Sequence, residues 1–341
     1  MGHYAGIDLH SSNSMLAIED EEGKRLFKRK LHNNIVEISE ALEPFREKLS
    51  SIAVESTYNW YWLVDGLMEH GYDVKLVNTA ASKQYKGIKH IDDTHDAFWL
   101  AEMLRLGILP TGYIYPKKDR PVRDLLRKRS HLVSLRTSLM TSLSNIITRN
   151  NGVTVSGNEI KRLKRDTVTP LLFANEDIEL SGKVSKNAID FFTRQIRLVE
   201  KSVEGRVGGL LKQNYANILT IPGIGKILGL TIALETGEIG RFASVGDYAS
   251  YARVVPSEWT SNGKKKGGGN TKNGNKYLSW AFSEASVKAR QYDEACNKFY
   301  QKKKSKKNVM VGHKALAHKL ARAAYFIMRD DVPFNKEKLF S

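Results

Sequence analysis

The sequence predicts an α/β domain over residues 1–115, a helical, coiled-coil-like region over 116–212 and a mainly α carboxy-terminal domain over 213–341. Three observations carry this division. Short apolar runs bounded by turn residues crowd the amino-terminal part. Leucines at helical spacing fill the middle, where Lys and Arg become dense and glycine nearly vanishes after Pro116 until Asn151-Gly152. The remainder joins glycine- and lysine-rich stretches to helix-forming segments.

In order along the chain, HYAGIDLH, SMLAIED and RLFKRKLH read as three strands of a meander, with a turn at Glu22-Gly23 between the second and third. A helical pattern covers residues 35–49, the apolar run 51–55 is a strand, a helix spans 60–69 and a strand spans 73–78. A further helix covers 93–106, with Phe98, Leu100, Ala101 and Leu104 on its apolar face. This is the element order of a ribonuclease H-like domain. In the middle region Leu125, Leu126, Leu132, Leu135, Leu139, Leu143 and Ile146 predict one long helix over 122–148, with an antiparallel return over 187–211. Near the end, residues 312–334 read as one amphipathic helix closed at Val332-Pro333, and Lys302 to Lys307 as a basic loop before it.

Composition narrows the function. Lys and Arg number 54 against 37 Asp and Glu, a net charge of +17. Each cation that meets a phosphate releases a condensed counterion, so this excess points to nucleic acid. The single Cys296 excludes an intramolecular disulfide and any multi-cysteine zinc site, which fits a reducing cytoplasm. The start MGHYAGIDLH has none of the parts of a secretory leader, and no apolar run is long enough to span a bilayer, so no membrane association is expected.

Four carboxylates stand out. Asp8 interrupts the apolar first strand and Glu55 ends the fourth, positions where a buried charge needs a partner and where a hard divalent cation supplies one. In a ribonuclease H-like sheet those two strands are neighbours. Asp93 and Asp96 lie one turn apart on one helix face. Such a set suits two Mg²⁺ ions acting on a phosphodiester. Taken singly, each acid has a plainer role, Asp93 as a helix cap and Asp96 as a solvent-facing residue.

Toward the end, LTIPGIGK over residues 219–226 has the pattern of a helix-hairpin-helix, whose glycines admit a phosphate to backbone N–H groups beside a helix amino terminus, with Lys226 at hand. The plainer alternative is a turn between two packed helices. The run PSEWTSNGKKK over 256–266 sets Ser261 before Lys264, Lys265 and Lys266, and GGGNTKNGN over 267–275 adds Lys272. A hydroxyl among ammonium groups suits attack on a phosphodiester, with Ser257 as the competing hydroxyl. Lys314, Lys319 and Arg322 of the last long helix are further candidates for phosphate contact.

The segments GIDLHS, AVESTY and DDTHDAFWLAEML resemble the three motif blocks of DEDD-type insertion-sequence transposases, whose amino-terminal domain is similar to Holliday-junction resolvases of the RuvC type. The resemblance lands on Asp8, Glu55, Asp93 and Asp96. Asp92 adjoins the third motif, where the D-x-x-D-A spacing favours Asp93 over Asp92 as the ligand. The run 256–275 resembles the P-S-E-x-x-S-G … T-K-x-G-N segment of the same family, and this places its catalytic serine on Ser261, with Asn262 where glycine is common and Asn270 where an apolar residue is usual. The resemblance implies a RuvC-like metal domain, a transposase domain, excision and insertion of a mobile element through a serine–DNA intermediate, a noncoding guide RNA that pairs with donor and target DNA, and a homo-oligomer that assembles the site between domains or subunits. Two other classes stay open on composition and spacing alone. A metal-dependent junction nuclease needs the four acids without Ser261, and a noncatalytic DNA- or RNA-binding protein needs neither.

Overall fold

A computed structural model describes residues 2–82, 92–163, 175–207, 209–256, 258–268 and 273–340. Two compact units divide the chain: Met1–Lys117 with Ser257–Asn273, and Lys118–Pro256 with Gly274–Ser341.

The first unit is built on strands β1 (His3–Leu9), β2 (Asn13–Asp20) and β3 (Arg25–His32), followed by helix α1 (Ile35–Leu42), β4 (Leu49–Glu55), α2 (Tyr61–Glu69), β5 (Val74–Val77), the short α3 (Thr79–Ser82) and α4 (Asp93–Arg105). The strands form one sheet in the order β3-β2-β1-β4-β5, antiparallel through the meander and parallel from β1 to β4 and β5. One face, from Ala5, Ile7, Leu9, Leu16, Ile18, Ile52 and Val54, packs on Ile38 and Leu42 of α1 and Leu63, Val64 and Leu67 of α2. Helix α1 stops at Leu42 instead of continuing to residue 49. Pro44 lacks an N–H and crowds the carbonyl a turn earlier, so the backbone tightens into a 3₁₀ turn over Glu43–Lys48.

Helix α4 covers the opposite face, and the strand sequences explain why. Ala17, Gly6 and Ala53 pair across β2, β1 and β4 and make a row of minimal side chains. Ala97 and Phe98 seat on Ala17, and Leu100 on Ala53 and Val77. At Gly6 the approach is backbone to backbone: a Cβ there would lie 2.0 Å from the Ala97 carbonyl oxygen.

The second unit is helical. Helix α5 (Arg120–Asn151) is followed by α6 (Gly157–Arg162) and α7 (Glu176–Arg206), then α8 (Gly209–Ile218), α9 (Lys226–Thr236) and α10 (Val245–Tyr251). After the strand pair β6 (Glu258–Ser261) and β7 (Lys264–Gly268), which falls in the first unit, come α11 (Lys276–Tyr292), α12 (Glu294–Lys306), α13 (Val309–Asp330) and α14 (Lys336–Phe340). Helices α5 and α7 run antiparallel, as Arg129 Nε donating to Glu200 at 2.8 Å and Arg136 donating to Thr193 show. Leu126 meets Val203, and Leu143 meets Ile189. Leu135, expected on this seam, is 40% exposed instead. The return helix begins eleven residues before the predicted position, because Asn175 caps it through Oδ1 and Glu176, Asp177 and Glu179 suit the positive helix end.

One further expectation is corrected. Lys302 to Lys306 close helix α12 and are not a loop, since lysine is a good helix former and its charge is favourable at a helix carboxy terminus. The glycine-lysine stretch holds a two-stranded hairpin, with Asn262 and Gly263 at its turn, both at positive φ (52° and 69°).

Candidate functional site

Asp8 and Glu55 stand side by side at the carboxyl ends of neighbouring parallel strands, one step beyond the paired Ile7 and Val54. Side chains alternate along a strand, so Asp8 shares the α4-facing side with Gly6. The close contact of Gly6 with α4 thus draws the first turn of that helix, with Asp93 and Asp96, over the same sheet edge.

Among the described residues, one group of donors is spaced to hold a metal ion: Asp8, His10 and Asp93, each offering an atom within 4.8 Å of the others. Asp8 is 3% exposed, while His10 and Asp93 are half-buried. His10 Nε2 lies 3.1 Å from Asp8 Oδ2 and 3.4 Å from Asp93 Oδ1. Glu55, half-buried beside Asp8, and Asp96, one turn along α4, do not belong to this tight group. Asp92, not Asp93, caps the helix: its Oδ1 accepts the His95 N–H at 2.7 Å. Asp93 is thereby left to the cluster. At the other end of α4, Arg105 Nε donates to buried Glu19 at 3.0 Å. Burial lifts the Glu19 carboxyl above its ordinary value, against the lowering effect of Arg105.

Sequence reasoning passed over His10. The signal was in GIDLH, where alternation sets a histidine two residues beyond Asp8 and hence on its side.

Ser261 ends β6 and pairs with Lys264 across the turn, and Ser261, Lys264 and Lys266 are exposed. Ser257, Lys272 and the Lys265 side chain lie outside the described residues. The carboxyl root of the segment is firmly tied. Gly274 has φ +82°, and a Cβ there would lie 2.5 Å from the Tyr251 carbonyl oxygen. Asn275 donates its backbone N–H to that oxygen, caps α11 through Oδ1 and donates Nδ2 to Glu235 at 2.7 Å. Glu235, nearly fully buried, also accepts both arms of Arg127, at 2.6 and 2.7 Å. Burial alone would lower the Arg127 pKa, but Glu235 raises it overall, so the guanidinium stays charged.

The other cations differ in their engagement. Lys226 is exposed and ion-paired with Glu204 at 2.7 Å, which raises its pKa. Lys319 donates to the Leu339 carbonyl oxygen, Arg322 is half-buried and Lys314 is exposed. In the 219–226 segment, Gly223 has φ +83° and makes a close approach to the α11 backbone, 2.4 Å from Ala285 O to a would-be Cβ, so packing already requires a glycine there. Gly225 is open at the amino end of α9.

A five-stranded mixed sheet with acids at the ends of its central parallel strands, and a helix bringing further acids across one face, fits the ribonuclease H-like domain of DEDD transposases. Family comparison agrees. Residues 5–150 match a DEDD transposase model of the IS110 type, and residues 215–301 match the model described as the transposase IS116/IS110/IS902 family. A probable family 20 transposase of Pseudomonas aeruginosa is 24% identical over 235 residues, 67% of each chain. The transposase for insertion sequence element IS1111A of Coxiella burnetii is 23% identical over 282 residues, 80% of this chain and 74% of the relative. The chain belongs to the IS110-type family of DEDD transposases and is a DNA transposase. Membership implies use of a divalent metal, and the oxygen-rich set at Asp8 and Asp93 suits one. Among the described residues no helix is long and apolar enough to cross a membrane.

Proposed function

We propose that this transposase cuts and rejoins DNA through Ser261. The Ser261 Oγ attacks a DNA phosphorus, an Oγ–P bond forms, and the bond from phosphorus to the leaving sugar oxygen breaks. The serine proton passes to solvent or a nearby base, and the departing oxygen takes up a proton. Attack by the hydroxyl of another strand reverses these changes and joins the new ends, with the phosphodiester energy conserved throughout. Asp8, Glu55, Asp93 and Asp96 would hold two Mg²⁺ ions. Such ions, when bound, polarise the scissile phosphate and neutralise its developing charge. Lys264, Lys265 and Lys266 neutralise charge around the same phosphate, while Lys226, Lys272, Lys314, Lys319 and Arg322 contribute to the DNA or RNA backbone contacts.

One observation carries this reading: the family match falls both on the segment with the four acids and on the segment with Ser261. The resemblance to the family implies a noncoding guide RNA that supplies specificity by pairing with donor and target DNA, and the charge of +17 with few obvious base-reading signatures is consistent with it. The family resemblance on the acids and on Ser261 supports a homo-oligomer that brings the acids of one subunit to Ser261 of another.

The test is strand exchange by the purified protein, with its co-purified RNA, on matching donor and target DNA in Mg²⁺. Ser261→Ala and Asp8→Asn are each expected to abolish recombinant product. Cutting that survives Ser261→Ala would identify a metal-dependent nuclease instead, and product that survives both changes would overturn the assignment.

A further inference from the structure

We propose that His10 is a nitrogen ligand of the divalent-metal site, so that the site is a mixed carboxylate–imidazole centre that holds Mn²⁺ more tightly than Mg²⁺. The inference rests on the reading of Asp8 and Asp93 as metal ligands and adds to it a donor outside the four acids.

Spacing is the first argument. Donors at neighbouring corners of an octahedral cation with bonds of about 2.1 Å stand roughly 3.0 Å apart. His10 Nε2 lies 3.1 Å from Asp8 Oδ2 and 3.4 Å from Asp93 Oδ1. That nitrogen is shut off from solvent and has no well-aligned hydrogen bond in the structure, although its ring is partly exposed. An imidazole with its Nε2 turned toward two carboxylates has a physical reason to be there once a cation sits among them.

The second argument is how firmly the histidine backbone is held. Asn33 and Asn59, from opposite sides of the strand end, each donate Nδ2 to the His10 carbonyl oxygen at 3.0 Å. Both amides are themselves oriented. The Ser14 hydroxyl donates to Asn33 Oδ1 at 2.7 Å, and the Thr57 hydroxyl donates to Asn59 Oδ1 at 2.8 Å, which leaves each NH₂ for His10. The His10 N–H in turn donates to the Asn13 carbonyl oxygen at 2.9 Å. Five side chains and backbone groups from β2, the segment after β3 and the segment after β4 thus fix the backbone of a residue that lies outside any strand.

A nitrogen donor shifts preference along the divalent series. Carboxylates alone suit Mg²⁺ and Mn²⁺ alike, whereas imidazole favours transition ions. The experiment is pulsed electron paramagnetic resonance of the full-length protein loaded with Mn²⁺, at natural abundance and with ¹⁵N-histidine, beside calorimetric titration with Mn²⁺ and Mg²⁺. The expected result is a nitrogen modulation on Mn²⁺ that changes with the isotope, and a Mn²⁺ affinity that falls at least about tenfold in His10→Ala. The Mn²⁺-over-Mg²⁺ preference falls with it. Isotope labelling detects a histidine donor among the chain's nine, and loss of that modulation in His10→Gln assigns it to His10 even if His10→Ala fails to fold. Mn²⁺ bound without a histidine signal would overturn the ligand and leave the carboxylate site standing. No Mn²⁺ bound at all would overturn both.

Discussion

Replacing Gly6 by alanine tests the packing that assembles the acidic site. The added Cβ would stand 2.0 Å from the Ala97 oxygen and 2.8 Å from the Ala101 nitrogen, both backbone atoms of α4. Neither can swing aside as a side chain can. To restore ordinary contact, which begins at 3.4 Å, helix and strand must separate by about 1.4 Å. Overpacking of this kind costs about 1–3 kcal/mol, which lowers the melting temperature by several degrees. The larger consequence is local. Asp93 rides on α4, and a shift of that size takes its carboxylate away from Asp8 and His10, beyond the reach of one shared cation with bonds of about 2.1 Å. Gly6→Ala is therefore expected to weaken Mn²⁺ binding at least about tenfold in calorimetric titration, a loss comparable to removal of a ligand's support. Gly66→Ala is the control. Its Cβ would meet the Ile35 side chain, 2.6 Å away in the core on the opposite face of the sheet, so it is expected to cost stability and leave Mn²⁺ affinity unchanged. A Gly6→Ala protein with wild-type melting and wild-type Mn²⁺ affinity would refute the argument.

Three other predictions follow from particular contacts. Glu235→Ala leaves the Arg127 guanidinium without its buried partner and is expected to cost about 3–5 kcal/mol in chemical denaturation, whereas Arg127→Met with Glu235→Met together costs less than the two single changes added. Asn262→Val forces a β-branched residue into a left-handed turn position and is expected to abolish strand exchange while the melting of the helical unit is retained; Asn262→Gly is expected to stay active. Burial pushes the Asp293 carboxyl up, but the Cys296 N–H and Lys336 outweigh it and hold the group below its usual 3.8. The bound form is the ionised one, so its stabilisation is full above about pH 4 and lost as pH falls through that value and below, and Asp293→Asn is expected to flatten this part of an acid-unfolding curve.

Much of the amino-terminal architecture was legible because its signals are local. Asp8 in an apolar strand and Glu55 at the end of another mark themselves, and the parallel pairing of β1 with β4 follows from element order. The row Ala17, Gly6 and Ala53 was not legible, since small residues mean nothing until the strands are in register. His10 was hidden for a related reason: its neighbours Asn33 and Asn59 come from distant parts of the chain. In the carboxy-terminal half, richness in glycine and lysine obscured the Asn-Gly turn signal that makes residues 258–268 a hairpin. The tie between Glu235, Arg127 and Asn275 joins three segments that no spacing rule connects, and it gives the Gly274-Asn275 pair a structural reason.

The most direct measurement is a search for the covalent intermediate. The protein with its RNA is incubated with matching DNA and Mg²⁺, quenched, digested with protease and nuclease, and the peptides are read by mass spectrometry. A nucleotide attached to Ser261, present with the native protein and missing from Asp8→Asn, is the expected result. An adduct on Ser257, or recombined DNA with no adduct on any serine, would contradict the account.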